Sequence, residues 1–470
     1  MLFLPVFPGF SRKFFKHLTP TIAFSLTLGW CGLIAPVGLS KIIPIEVHTD
    51  SGTVLEPENP IETSQSLFKM EQEQEQTYEK YFGRELAEVT QTPEGIAQTL
   101  LRLEAETGTR AAVLWIKPDK NYLHLVLVTP GKEAIVKDLS EVPKTTLLPL
   151  VQLFRQEVTN PLSNLYLPLG QRLHEWLIEP FEAEFLEPEN IDTLLICAWD
   201  GLRSLPFAAL QDGEQFLIEK YAIANIPAFN LINHTYSGRS RNGNILAMGA
   251  SEFQTLQSLP AVPLELQNIV NSFAEKTGRS FLNADFTVKN LEDQLQQASV
   301  RYQPIEIVHL ATHAAFLPGT PADSYIQFWD RPLRLDEMSG LNWKNPPLEL
   351  LVLSACETAL GNTQAELGFA GLALQSGVKS ALASLWSVSD SGTLALMSEF
   401  YQQLQDSPTK AEALRQSQLY LLQNQDLFQG DRLVLSRGAF PVPQNLALST
   451  DEDFSHPFFW AGFTLISSPW

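Results

Sequence analysis

A chain of 470 residues is long enough for roughly two or three domains and a sizeable core, and 44% hydrophobic residues exclude a disordered chain. A net charge of -21 argues against nucleic acid as a partner, because phosphates need a basic face; it suits a soluble enzyme acting on cationic peptides. The three cysteines, Cys31, Cys197 and Cys356, show no CxxC spacing and no disulfide framework.

Residues 1–40 read as a signal peptide or membrane anchor. Arg12, Lys13 and Lys16 precede a charge-free stretch from Leu18 to Ser40, whose apolar centre, Ile22 to Ile34, has the length of a signal h-region and is short for a membrane span. Ser11-Arg12-Lys13-Phe14-Phe15 is similar to a twin-arginine export signal with Lys13 in place of the second arginine. The expectation is a body exported to the periplasm or outside the cell, or one held at the membrane by an uncleaved anchor.

Residues 41–90 read as a linker followed by a polar helix: proline, acid and serine up to residue 63, then a Glu/Gln-rich stretch over residues 66–82. Its few apolar residues predict a surface or tethering helix. Thr92-Pro93-Glu94 opens a better helix, with Ile96, Leu100 and Leu103 on one face. Strands are predicted at Ala111–Ile116 and Tyr122–Val128, joined as a hairpin or edge pair. Helical pattern returns at Thr145–Val158 and Leu167–Phe181, and strands are predicted at Thr193–Trp199, Phe216–Ile223 and Asn244–Gly249. Cys197 lies inside one of these apolar runs and reads as packing.

The helix Val262–Ala274 has apolar residues at Val262, Leu266, Ile269, Val270 and Phe273, a 3.6-residue period. Then comes the run Ile305 to His313, a polar loop, the run Leu348 to Cys356, and a helix near Gln364–Gln375. The strand Ser380–Trp386, helices near Gly392–Gln405 and Lys410–Gln423, and a closing strand Phe458–Ile466 complete the chain. Alternating strands and helices predict an α/β fold with a mostly parallel sheet. Two units are expected, an N-terminal α/β subdomain over 91–240 and a catalytic one over 241–470.

His313 and Cys356 each close a strand-like run. In open α/β sheets chemistry gathers at the carboxyl ends of strands. If the two strands are parallel neighbours, imidazole and thiol meet, which is the minimum equipment for nucleophilic catalysis. A G-x-S-x-G elbow for a serine hydrolase does not occur in the chain. His309 and His313 have the spacing of the histidines of HExxH. On a strand, however, they stand about 13 Å apart at roughly 3.3 Å per residue, and the glutamate is missing. His309 then reads as a core histidine, and no metal or other cofactor is expected.

Val308-His309-Leu310-Ala311-Thr312-His313-Ala314 and Leu353-Ser354-Ala355-Cys356-Glu357-Thr358-Ala359-Leu360-Gly361 resemble the two signature blocks of the CHAT domain. This is the bacterial caspase-like cysteine peptidase domain related to separase and the caspases, here without tetratricopeptide repeats. Supporting blocks at Asp200–Leu210, Ser384–Asp390 and His456–Phe463 are similar too, and the resemblance spans roughly residues 160–470. It implies a caspase-like, mostly parallel sheet with helices on both faces, preceded by a smaller pseudo-caspase-like subdomain. It also implies a cysteine endopeptidase with Cys356 as nucleophile and His313 as general base, 43 positions apart, near the caspase spacing of about 50. The implied oxyanion donors are the backbone N–H groups of Cys356 and Ala314. Asp390 is either the acid of a pocket for a basic residue before the cut, as in separase-like enzymes, or a helix cap. The implied partner is a protein or peptide substrate; no regulatory partner is identifiable. The alternative is a catalytically silent caspase-like binding or scaffold module.

Overall fold

The computed structural model describes residues 60–86, 90–238, 243–273, 278–341, 343, 348–358, 362–443, 446 and 452–470, the side chains of 60–64 and 355–358 excepted. The signal-like segment 1–40, Cys31 and the linker up to residue 59 therefore lie outside the described residues.

The described residues form sixteen strands in chain order. They are β1 (Ala111–Pro118), β2 (Leu123–Val128), β3 (Ile135–Leu139), β4 (Thr193–Ala198), β5 (Ala222–Asn225), β6 (Asn244–Gly249), β7 (Arg279–Leu282) and β8 (Ile305–Phe316). The second half has β9 (Tyr325–Gln327), β10 (Pro332–Arg334), β11 (Leu350–Thr358), β12 (Ser380–Ser384), β13 (Phe428–Gln429), β14 (Arg432–Leu435), β15 (Gly438–Pro441) and β16 (Phe463–Ser467). β13–β15 form a small separate sheet, and the other 13 form one large sheet. Its centre runs β8-β11-β12-β16-β5-β4-β1-β2-β3, with β6 and β7 beside the start of β8 and the β9–β10 hairpin beside its end. Most pairings are parallel; β12–β16, β1–β2, β2–β3, β8–β9 and β9–β10 are antiparallel.

Burial on both faces explains why the strands read as continuous apolar runs rather than alternating ones. In β1, Ala112, Leu114 and Ile116 enter the main core, while Val113 and Trp115 join a second cluster with Leu67, Met70, Ile96 and Leu100. That second cluster corrects the reading of residues 66–82 as a surface helix. The helix Pro60–Phe82 buries Leu67, Met70, Glu71, Gln74 and Tyr78. Its polar residues go inside because partners meet them there. The Glu71 carboxylate accepts from Trp115 Nε1 (2.6 Å) and from the backbone N–H groups of Phe229 (3.1 Å) and Asn230 (3.0 Å).

Two predicted strands are each a short helix leading into a strand. Phe216–Ile223 is the turn Leu217–Lys220 and then β5, because the Glu219 carboxylate turns back to accept the Phe216 N–H at 2.7 Å. Phe458–Ile466 is the turn Pro457–Trp460 and then β16, because His456 Nδ1 accepts the Phe458 N–H at 3.0 Å and Pro457 suits a first turn. The polar loop after His313 contains the β9–β10 hairpin. Helix Gln364–Gln375 is two pieces, Thr363–Ala370 and Leu372–Ser376, meeting at Gly371.

Candidate active site

β8 and β11 are parallel neighbours. Neither candidate residue ends its strand, since β8 runs on to Phe316 and β11 to Thr358. The ladder pairs Ala355 with His313 and Cys356 with Ala314, so the two candidates are diagonal neighbours rather than cross-strand partners. Just before this level the register slips: Leu353 pairs with Leu310 but Ala355 with His313, which leaves two β8 residues against Ser354. Such a bulge bends one strand and re-aims the side chains beyond it. Ala314 also pairs with Ile326 of β9, and so stands between two strands. The Cys356 side chain lies outside the described residues.

The loop after β6 folds over His313. It leaves the sheet at Gly249, where a Cβ would lie 2.5 Å from the Ala311 carbonyl oxygen and 2.9 Å from Val262 Cγ1. The next N–H, of Ala250, donates to that same carbonyl at 3.1 Å. Asn283 Oδ1 accepts the Ser251 N–H (2.9 Å) and pins the loop. Phe253 then meets the His313 ring edge to face, centroids 4.8 Å apart, and the Gln257 carbonyl stands 2.7 Å from His313 Nε2. A carbonyl only accepts, so Nε2 carries the proton and the neutral ring presents its lone pair at Nδ1.

Beside His313 lies a cleft of about 110 Å³, lined by Leu256, Leu259, Glu265, Ala314, Ser354 and Asp390 among others. Asp390 opens the helix Asp390–Gln403 but does not cap it; Ser389 does, its hydroxyl accepting the Gly392 N–H at 3.1 Å. The Asp390 carboxylate instead accepts the Ala261 N–H at 3.1 Å, at the start of the helix Val262–Ser272. Burial pushes its carboxyl above the ordinary value, although the Ala261 bond opposes this. His309 is fully buried. Its Nδ1 is 3.1 Å from the Tyr401 hydroxyl, and its Nε2 is 2.9 Å from a Glu265 carboxylate oxygen.

The supporting blocks hold this frame together. Glu366, wholly buried in the helix Thr363–Ala370 that comes after the Cys356 strand, takes the Arg155 guanidinium at 3.0 Å, the Gly201 N–H at 3.1 Å and the Ser204 hydroxyl. Arg203 reaches Gln74 at 3.0 Å and pairs with Asp200. Trp386 donates to the Phe458 carbonyl at 3.0 Å and covers Gly462, where a Cβ would come within 2.9 Å of the indole. His456 donates from Nε2 to the Ser163 carbonyl at 2.9 Å and serves packing. The Cys197 sulfur is buried 3.4 Å from the Pro227 carbonyl, and burial raises its thiol well above the usual value.

Sequence reasoning missed Gln257, Glu265, Arg155 and Glu366. The two glutamates had a signal, since each is a lone acid among apolar residues of a helix and needs a buried partner. Gln257 had none, because its backbone makes the contact.

The CHAT domain family matches residues 167–468. A comparison with curated protein sequences finds no match. Among solved structures, the chain is similar to separase of Saccharomyces cerevisiae in its complex with securin, at 11% identity and a TM-score of 0.46. That match covers 80% of this chain and 31% of the separase chain, so this chain spans about a third of that relative. It is also similar to a complex of the pro- and mature domains of Porphyromonas gingivalis RgpB, at 10% identity and a TM-score of 0.39, over 69% of this chain and 76% of that one. With more than half of its length matched, and with the signature blocks on adjacent parallel strands of an α/β sheet, the chain belongs to the CHAT-domain family.

Proposed function

We propose that the chain is a caspase-like cysteine endopeptidase with His313 and Cys356 as its dyad. The observation that supports this best is the parallel pairing of β8 with β11, which puts the Cys356 backbone one step along the ladder from His313, a residue that lines a cleft. His313 Nδ1 takes the Cys356 proton, and the thiolate attacks a peptide carbonyl. The backbone N–H groups of Cys356 and Ala314 receive the oxyanion. The C–N bond breaks, His313 returns the proton to the leaving amine, and water then hydrolyses the thioester. The mechanism requires β11 to leave the regular pleat at Cys356, since a one-residue offset in a period-2 strand exchanges faces.

Asp390 lines the cleft and supplies a carboxylate for a basic side chain before the cut. The substrate is then a protein or peptide. The signal-like residues 1–40 support export or a membrane tether, which fractionation of cells making the full chain tests.

A peptidyl acyloxymethyl ketone tests the dyad. Mass spectrometry of the intact folded protein is expected to find it on Cys356, and His313→Gln is expected to abolish the reaction. Labelling of Cys197 at an equal rate, or of Cys356 in the His313 variant at the parent rate, sinks the assignment and leaves a caspase-like binding module.

A further inference from the structure

We propose that Glu265 is a second acid of the specificity pocket and that, with Asp390, it selects arginine over lysine before the cut. This rests on the peptidase reading above. The helix Val262–Ser272 packs Val262, Leu266 and Ile269 into the core. Glu265 comes from the same helix, is only 2% exposed, and lines the cleft together with Asp390 and His313. A carboxylate so placed is costly without partners. Its Oε1 lies 2.9 Å from His309 Nε2, yet it is without an aligned hydrogen bond among the described residues.

A chain of side chains fixes Glu265 from behind. Tyr401 is fully buried, and burial holds its hydroxyl protonated well beyond the ordinary range. That hydroxyl lies 3.1 Å from His309 Nδ1; the Glu265 carboxylate facing Nε2 only accepts, which puts the ring proton on Nε2 and makes the hydroxyl the donor to Nδ1. Tyr401 and His309 are therefore positioning residues. Glu265 and Asp390 enter the cleft from two different helices, so they confront a guest from separate directions. The negative charge of Glu265 adds to the burial that raises the Asp390 carboxyl, and a cation between the two acids relieves both effects. A planar guanidinium offers a fork of donors that addresses two carboxylates at once, whereas an ammonium is a single point charge.

The test uses the full chain and paired fluorogenic peptides that differ only in Arg or Lys before the cut. The parent is expected to favour Arg in kcat/KM by about 10-fold or more, the worth of one charged hydrogen bond. Glu265→Gln is expected to bring the ratio near one. Glu265→Asp, which keeps the charge but shortens its reach, serves if the first variant does not fold, and is expected to reduce the ratio at least by half. An unchanged ratio in whichever variant folds overturns the proposal and leaves the peptidase standing. Should the parent turn over no peptide, the peptidase reading fails separately. Benzamidine binding, monitored by fluorescence, then decides the pocket: affinity weakened about 10-fold by Glu265→Gln supports it, and no binding or unchanged affinity overturns it.

Discussion

The imidazole of His313 and the backbone carbonyl of Gln257 face each other at 2.7 Å, and this contact fixes which ring nitrogen can act as a base. Nε2 holds its proton against the carbonyl, so the chemistry falls to Nδ1. Cys356→Ser and His313→Gln are each expected to lower kcat/KM by at least about 10³-fold. Neither is expected to shift the thermal unfolding midpoint. Peptidase assays beside thermal melts check both; a His313 variant with more than a tenth of parent activity rejects the dyad.

Asp390 should make recognition of a cationic substrate depend on pH. Its carboxyl is raised by burial, so it becomes neutral at a higher pH than an ordinary aspartate, and a neutral acid no longer pairs with a cation. As pH falls, kcat/KM for a basic substrate is expected to drop before that for a neutral one. The pH profile of the ratio measures this, and Asp390→Asn is expected to flatten it.

The buried pair Arg155–Glu366 ties the helix after Cys356 to the Gly201–Ser204 turn. Glu366→Ala strands the guanidinium and is expected to cost about 3 kcal/mol in urea unfolding. The double replacement Arg155→Met with Glu366→Leu removes both charges and is expected to recover more than half of that loss. A cost below about 0.5 kcal/mol for the single change would mean the pair does not bind the two elements.

Glu71 predicts how stability varies with pH. Burial pushes its carboxyl up from 4.5 to about 7, outweighing the three N–H groups that favour the anion. The native state therefore keeps a proton that the unfolded chain releases. The resulting stability is fully present below pH 4.5 and is lost as pH rises through about 7. The difference in unfolding free energy between pH 5 and pH 8 is expected to include about 3 kcal/mol from this group. Glu71→Gln is expected to remove that part of the slope, whatever its effect on absolute stability. Equal slopes in parent and variant refute the assignment.

Gly249→Ala is expected to destabilise the fold by about 1–3 kcal/mol, because the methyl group would press on the Ala311 carbonyl at the β6–β8 contact. That contact adjoins the register slip beside His313, so activity is expected to fall further than the loss of folded protein explains. Activity per folded molecule at a temperature well below the midpoint separates the two effects.

Much of this was legible in the chain because it is local. The runs that became β1, β2, β4, β6, β8, β11 and β12 were marked by length and by branched apolar residues, and the helix of Val262, Leu266 and Ile269 by its period. His313 and Cys356 stood out because reactive side chains closed apolar runs. Where backbone capping decided, at Phe216 and Phe458, apolar patterning misread a turn as strand. The polar helix Pro60–Phe82 was misplaced for another reason: burying Glu71 is unfavourable until Trp115 and the Phe229–Asn230 backbone, distant in sequence, supply donors.

Sequence by itself determined the longer buried strands, such as β1, β4, β8 and β11, and singled out the side chains proposed to carry chemistry, since both signals depend on near neighbours in the chain. Only the tertiary structure decided that β8 lies against β11, that the ladder slips a residue just before His313, and that Gln257 and Glu265 arrive from elsewhere to flank the cleft. Strand register and backbone carbonyl contacts depend on how distant segments pack, and a carbonyl looks the same whichever residue bears it.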